Sequence, residues 1–160
     1  MKTVIFACVH NAGRSQMASA LFNEMVIPTI ARAISAGTHP AGRVHPEVAD
    51  AMREVGIDLS AAKPQLLTQE LASGADLLIT MGCGDECPVV PGLRRDDWLL
   101  PDPKGQPIER VREIRDEIQG RMRKLLAKEG WGVRPTPPDD HSRETTVVPW
   151  DLLALDSTEK

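Results

Sequence analysis

The chain has 160 residues, 41% of them apolar, with a net charge of −4 and no tyrosine. That suits one soluble domain with a short appendage, and it argues against the basic surface and aromatic platforms on which nucleic-acid binding rests. No stretch approaches a membrane span and the apolar run Val4–Cys8 is too short for a signal-peptide core, so a cytoplasmic protein is expected, in a compartment that keeps its three cysteines reduced.

Thr3–Ala7 reads as a buried strand, short and continuously apolar, ending at Cys8. Val9–Gly13 is a polar loop. A helix is expected from Ser15, with Met17, Leu21 and Met25 on one face beside Ala18 and Phe22, and Pro28 stops it. Ile30–Ala36 is a second strand closed by Gly37. Pro46 suits a first helical residue, Val48, Met52 and Val55 form a stripe, and Gly56 followed by Ile57 reads as a helix C-cap. Thr68–Ser73 is a short helix and Asp76–Thr80 a third buried strand, which runs into a cysteine-bearing loop, Met81–Gly92. A short fourth strand is expected at Asp97–Leu100. The clearest helix runs from Ile108 to about Leu126, with Ile108, Val111, Ile114, Ile118, Met122 and Leu125 on one face.

Strands alternating with helices predict an α/β fold, a three-layer sandwich around a four-stranded parallel sheet over residues 1–130. Residues 131–160 read as a Pro-rich linker and a C-terminal tail that regains apolar character around Trp150, an anchor for this domain or for a second copy. In such sheets ligands bind beyond the carboxyl ends of the strands. Cys8 and Cys83 each follow a strand, so order alone puts them on the same sheet edge.

The central motif is Cys8-Val9-His10-Asn11-Ala12-Gly13-Arg14-Ser15, set between a strand and a helix. A loop wrapped at a helix N-terminus aims several backbone N–H groups at one point, and the helix dipole adds to the field. A tetrahedral oxyanion fits there, and Arg14 can bind two of its oxygens in a fork. The same field favours the thiolate of Cys8, a nucleophile. Asn11 is expected to shape the loop, Gly13 to allow close approach, and Ser15 to donate to the Cys8 sulfur. The plainer reading of this spacing is a buried strand-end thiol beside a surface arginine.

Cys8-x5-Arg14-Ser15 with Asn11, after one strand, resembles the low-molecular-weight phosphotyrosine phosphatases and the arsenate reductases that share their fold. Arg14-Ser15-Gln16-Met17-Ala18 and Ser35-Ala36-Gly37 resemble the reductase branch in particular. The resemblance covers about residues 1–128 and implies a low-molecular-weight phosphatase-like fold and arsenate reduction in arsenic detoxification. The alternative it leaves is a low-molecular-weight phosphotyrosine phosphatase. Arsenate is then the substrate, with phosphate or sulfate as competing anions.

The resemblance makes Asp102, in Asp102-Pro103, the acid that protonates the leaving oxygen; the dipeptide on its own reads as a turn. The phosphatase branch follows it with tyrosines, where this chain has Lys104-Gly105. A reductase must also dispose of two electrons. Cys83 is expected to attack the Cys8 sulfur once arsenic is bound, and Cys87 to take over the bond by exchange. In thioredoxin-coupled relatives these two cysteines lie further apart, and related enzymes use a low-molecular-weight thiol instead. The implied requirements are no bound cofactor, no metal, and an external thiol reductant, thioredoxin-like or small. Ser19 stands where some reductases carry a glutamate that helps bind potassium, so no strong potassium site is expected. His39, His45 and His141 read as surface or capping residues, and Trp98 and Trp131 as packing at core edges.

Overall fold

The computed structural model describes residues 1–82 and 90–134. Four strands, β1 (Lys2–Cys8), β2 (Ala31–Gly37), β3 (Leu77–Thr80) and β4 (Arg94–Asp97), form one sheet in the order β2-β1-β3-β4, with every neighbouring pair parallel. The helices are α1 (Arg14–Met25), α2 (Pro46–Arg53), α3 (Gln69–Ser73) and α4 (Ile108–Glu129). The alternation of side chains along β1 divides the core. Val4, Phe6 and Cys8 face the larger cluster, which Met17, Leu21, Phe22, Met52, Ile114, Ile118 and Met122 complete from α1, α2 and α4. Ile5 and Ala7 face a smaller one with Ala36, Leu67, Ala72 and Leu78. The few aromatic residues meet in the larger core: Phe6 stands 6.0 Å from Phe22 and 5.7 Å from Trp98, and Phe22 stands 5.9 Å from Trp131. Full burial of a ring such as Phe22 contributes about 2–3 kcal/mol.

The structure moves several boundaries by a few residues. The fourth strand is Arg94–Asp97 rather than Asp97–Leu100. Its four side chains are exposed and charged, as suits an edge strand, so it carries no apolar signal; the apolar Trp98 follows it, buried, with its N–H on Thr80 O at 2.8 Å. Helix α1 begins at Arg14 and ends at Met25, short of Pro28. Val55 leaves the expected stripe and is 41% exposed. Ile57 N bonds Met52 O and Gly56 N bonds Arg53 O, both at 3.0 Å. This is the Schellman closure expected of Gly56-Ile57, and it turns Val55 outward.

At the other end of the described chain, Trp131 lies in the main core. Val133 bridges Val26, and Arg134 caps the end of α1, with its N–H on Met25 O at 2.7 Å and Nε on Val26 O at 3.0 Å. Trp131–Arg134 are therefore part of the packed unit. The remaining tail, with His141 and Trp150, lies outside the described residues. No described helix is long and apolar enough to cross a membrane.

Candidate active site

Cys8 ends β1, and the chain then wraps Val9–Gly13 around the start of α1. The Cys8 side chain is buried, with its Sγ 2.9 Å from Ser15 Oγ. Asn11 Nδ2 donates to that same Oγ at 2.7 Å. The serine oxygen thus accepts from Asn11, and its own hydrogen is free to donate to the sulfur.

Asn11 fixes the curvature. Its φ is 50°, a left-handed value that asparagine tolerates better than most side chains. Its Oδ1 accepts from Gln65 N at 2.9 Å and Gln16 Nε2 at 3.3 Å, and Gln16 Nε2 also bonds Asn11 O at 3.0 Å. Gln16 and Gln65 are thus part of the loop's frame. Gln65 has no sequence signal, since it lies 54 residues from the side chain it supports.

The direction of the backbone follows from its partners. The carbonyls of Cys8, Val9, His10 and Ala12 accept from the N–H groups of Thr38, His39, Ala41 and His45, at 3.2, 2.7, 2.9 and 2.9 Å. All four face the segment after β2. In a trans peptide the N–H of the next residue points opposite to the carbonyl, so the amides of Val9, His10, Asn11 and Gly13 face away from that segment. None of the N–H groups from Val9 to Gln16 has an acceptor among the described residues. Helix α1 also has no side-chain N-cap and no acidic residue in its first turn. A capping side chain often satisfies such donors; here no described side chain does, and a helix start of this kind can take an anion.

Arg14 is 9% exposed and held by two partners. Its Nη1 donates to Leu100 O at 3.2 Å, and its Nη2 stands 4.0 Å from Asp102 Oδ2. Gly82 also lies against the guanidinium: a Cβ there would stand 2.6 Å from Nη1. Asp102 Oδ1 accepts from Lys104 N at 3.0 Å, which closes a turn. Pro103 is buried against Gly13, where a Cβ would meet Pro103 Cγ at 2.7 Å. Glycine at 13 is what lets this turn reach the loop.

Cys8, Val9, His10, Asn11, Ala12, Gly13, Arg14, Ser15 and Asp102 are therefore brought together at the carboxyl edge of the sheet. Cys83 and Cys87 lie outside the described residues; Cys83 follows Gly82 in sequence. Of the histidines, His39 is exposed and His45 half-buried at the N-cap position of α2, where its side chain makes no capping bond.

Three comparisons bear on what this site is. The sequence model of the low molecular weight phosphotyrosine protein phosphatase family matches residues 3–130. A protein of Halobacterium salinarum, provisionally named an arsenate reductase, is 40% identical over 121 residues, which are 73% of this chain and 85% of that protein. The structure of a thioredoxin-dependent arsenate reductase from Corynebacterium glutamicum is 41% identical with a TM-score of 0.67; the match covers 80% of this chain but only 61% of that one. An arsenate reductase solved in a phosphate-binding state is 34% identical with a TM-score of 0.68, over 80% of this chain and 98% of that one. With the fold and these matches in agreement, the chain belongs to the low molecular weight phosphotyrosine protein phosphatase family, in the branch that holds the arsenate reductases.

Proposed function

We propose that this protein reduces arsenate to arsenite, with Cys8 as the nucleophile, and that it does so with electrons from an external thiol. The observation that carries the reading is the loop itself. It sets one buried sulfur, hydrogen-bonded to Ser15, among loop amides and one guanidinium. Such a site fits a four-oxygen anion beside the sulfur that would attack it.

The Cys8 thiolate attacks arsenic, an As–S bond forms, and one arsenate oxygen leaves as water after taking a proton from Asp102. Arg14 holds two of the remaining oxygens. A second thiolate, assigned to Cys83, then attacks the Cys8 sulfur. The Cys8–Cys83 disulfide forms, the As–S bond breaks with its electron pair moving to arsenic, and arsenite departs. Cys87 attacks Cys83 in turn, which restores the Cys8 thiolate and leaves a Cys83–Cys87 disulfide for a dithiol protein to reduce. Two observations support this sequence: Gly82, the neighbour of Cys83, lies against Arg14, and the C. glutamicum relative is described as thioredoxin-dependent.

The test is arsenite production by the reduced protein, once with thioredoxin and its reductase and once with a small thiol. Activity with thioredoxin that disappears in Cys83→Ser supports the relay. Activity with the small thiol that survives in Cys83→Ser assigns the second attack to that thiol. No arsenite in either system rejects the reading. The phosphatase alternative rests on the family's own description; rapid phosphomonoester turnover in a Cys83→Ser, Cys87→Ser double variant, without arsenate activity, would favour it.

A further inference from the structure

Helix α2 and the Asp102 turn are joined by one contact that the chemistry above does not use. Glu47 Oε1 accepts the Gly105 N–H at 3.1 Å, across 58 residues of sequence. Gly105 has a φ of 70°, the left-handed value by which the chain leaves the turn Asp102-Pro103-Lys104-Gly105. Two residues before Glu47, His45 N bonds Ala12 O of the anion loop at 2.9 Å. At the far end of α2, Glu54 accepts from both Arg112 Nη2 (2.6 Å) and Arg115 Nη1 (3.0 Å) of α4. The helix is thus fixed at both ends. It forms a strut with the anion loop at one contact and the Asp102 turn at the next.

We propose that Glu47 is a positioning residue for the proton donor. Resting on the assignment of Asp102 above, it holds the Asp102 turn at a set height over the Cys8 loop. Apart from the 4.0 Å approach of Asp102 to Arg14, the other restraints on the turn are local or apolar: the Asp102–Lys104 bond, the Gln106 N bond to Pro103 O at 3.1 Å, and the packing of Pro103 on Gly13. They fix its shape, and the Glu47 bond is the hydrogen bond that ties it to another helix. Asp102 stands 45% exposed, 4.0 Å from Arg14, so small rotations of this turn decide whether its carboxyl meets a leaving oxygen. A carboxylate acceptor makes a stronger bond than a neutral one. A first-turn acid also favours the α2 dipole, and the experiment separates the two roles.

The measurement is arsenate turnover with a saturating thiol reductant, in Glu47→Ala, Glu47→Gln, Asp102→Asn and the Glu47→Ala, Asp102→Asn double variant, beside thermal melting of each. A well-placed acid contributes on the order of 10²–10⁴ in rate, so loosening it by removing the tether is expected to lower kcat about tenfold with KM for arsenate nearly unchanged. Glu47→Gln keeps an oxygen acceptor and is expected to recover most of the loss, although it removes the dipole contribution. Glu47→Ala is expected to cost nothing further once Asp102 is gone. Full activity in Glu47→Ala, equal losses in the Gln and Ala variants, or additive losses with Asp102→Asn would each overturn the proposal. A wild-type protein that makes no arsenite would instead refute the functional reading on which it rests.

Discussion

Gly82 offers the sharpest test of where Arg14 works. Its φ is +98°, and a Cβ there would stand 2.6 Å from Arg14 Nη1, 3.4 Å from Cζ and 3.7 Å from Nη2. A Gly82→Ala substitution therefore has two effects of separate origin. The backbone conformation costs an L side chain about 1–3 kcal/mol, which urea unfolding reads directly. The guanidinium must also retreat by about 0.8 Å to restore an ordinary contact of 3.4 Å, and losing a hydrogen bond to a charged group costs about 1.5–3 kcal/mol, or about 10–100-fold in affinity. Arg14 is mostly buried and tied to Leu100 O, so it cannot swing away without losing that bond. The assay is alkylation of Cys8 by iodoacetamide with increasing phosphate, because protection reads anion binding before any later cysteine acts. The midpoint of protection is expected to rise about 10–100-fold in Gly82→Ala. A variant that is destabilised yet protected at the wild-type phosphate concentration would show that Arg14 does not grip the anion from this position.

Other residues give further expectations. Ser15→Ala removes the 2.9 Å contact to Cys8 and also the acceptor of Asn11 Nδ2; slower alkylation of Cys8 and a stability loss of about 1–3 kcal/mol are expected, read by timed labelling and urea melts. Asn11→Ala loses three side-chain bonds while keeping a φ of 50°, and should cost about 2–4 kcal/mol and abolish phosphate protection; intact protection would deny Asn11 its role in shaping the loop. The Glu54 carboxyl is held at about 2, below its usual 4.5, foremost by the hydrogen bond from Arg112 and also by Arg115. Its folded-state value is depressed, so its stabilisation is complete above about pH 4.5 and lost as pH falls toward 2. Glu54→Gln should melt below the wild type at pH 6, and the two melting curves should converge as the pH approaches 2; a constant gap would place the effect elsewhere.

The parallel sheet, α1, α4 and the Schellman end of α2 were legible because each has a local cause: a short apolar run, a periodic face, a glycine in the right place. Cys8, Asn11, Arg14 and Ser15 were legible for the same reason, since one loop between a strand and a helix carries them all. What the sequence hid is what distant segments contribute. The charged strand Arg94–Asp97 pairs through its backbone, and its side chains look like any solvated stretch. Gln65 N reaches Asn11 from a loop, Leu100 O reaches Arg14, and Glu47 reaches Gly105 from another helix. None has a spacing that announces it. Asp102 lies between these cases. Its dipeptide read as a turn, which it is, and only the fold brings that turn against Gly13 and Arg14.

A single-turnover reaction tests the central assignment most directly: fully reduced protein, excess arsenate, no added reductant, followed by arsenite quantification and peptide mapping of the cysteines. One arsenite per chain together with the loss of two thiols is expected for the unaltered protein, and neither for a folded Cys8→Ser variant. Arsenite formation undiminished in Cys8→Ser, or none at all in the unaltered protein once a second thiol is supplied, would contradict it.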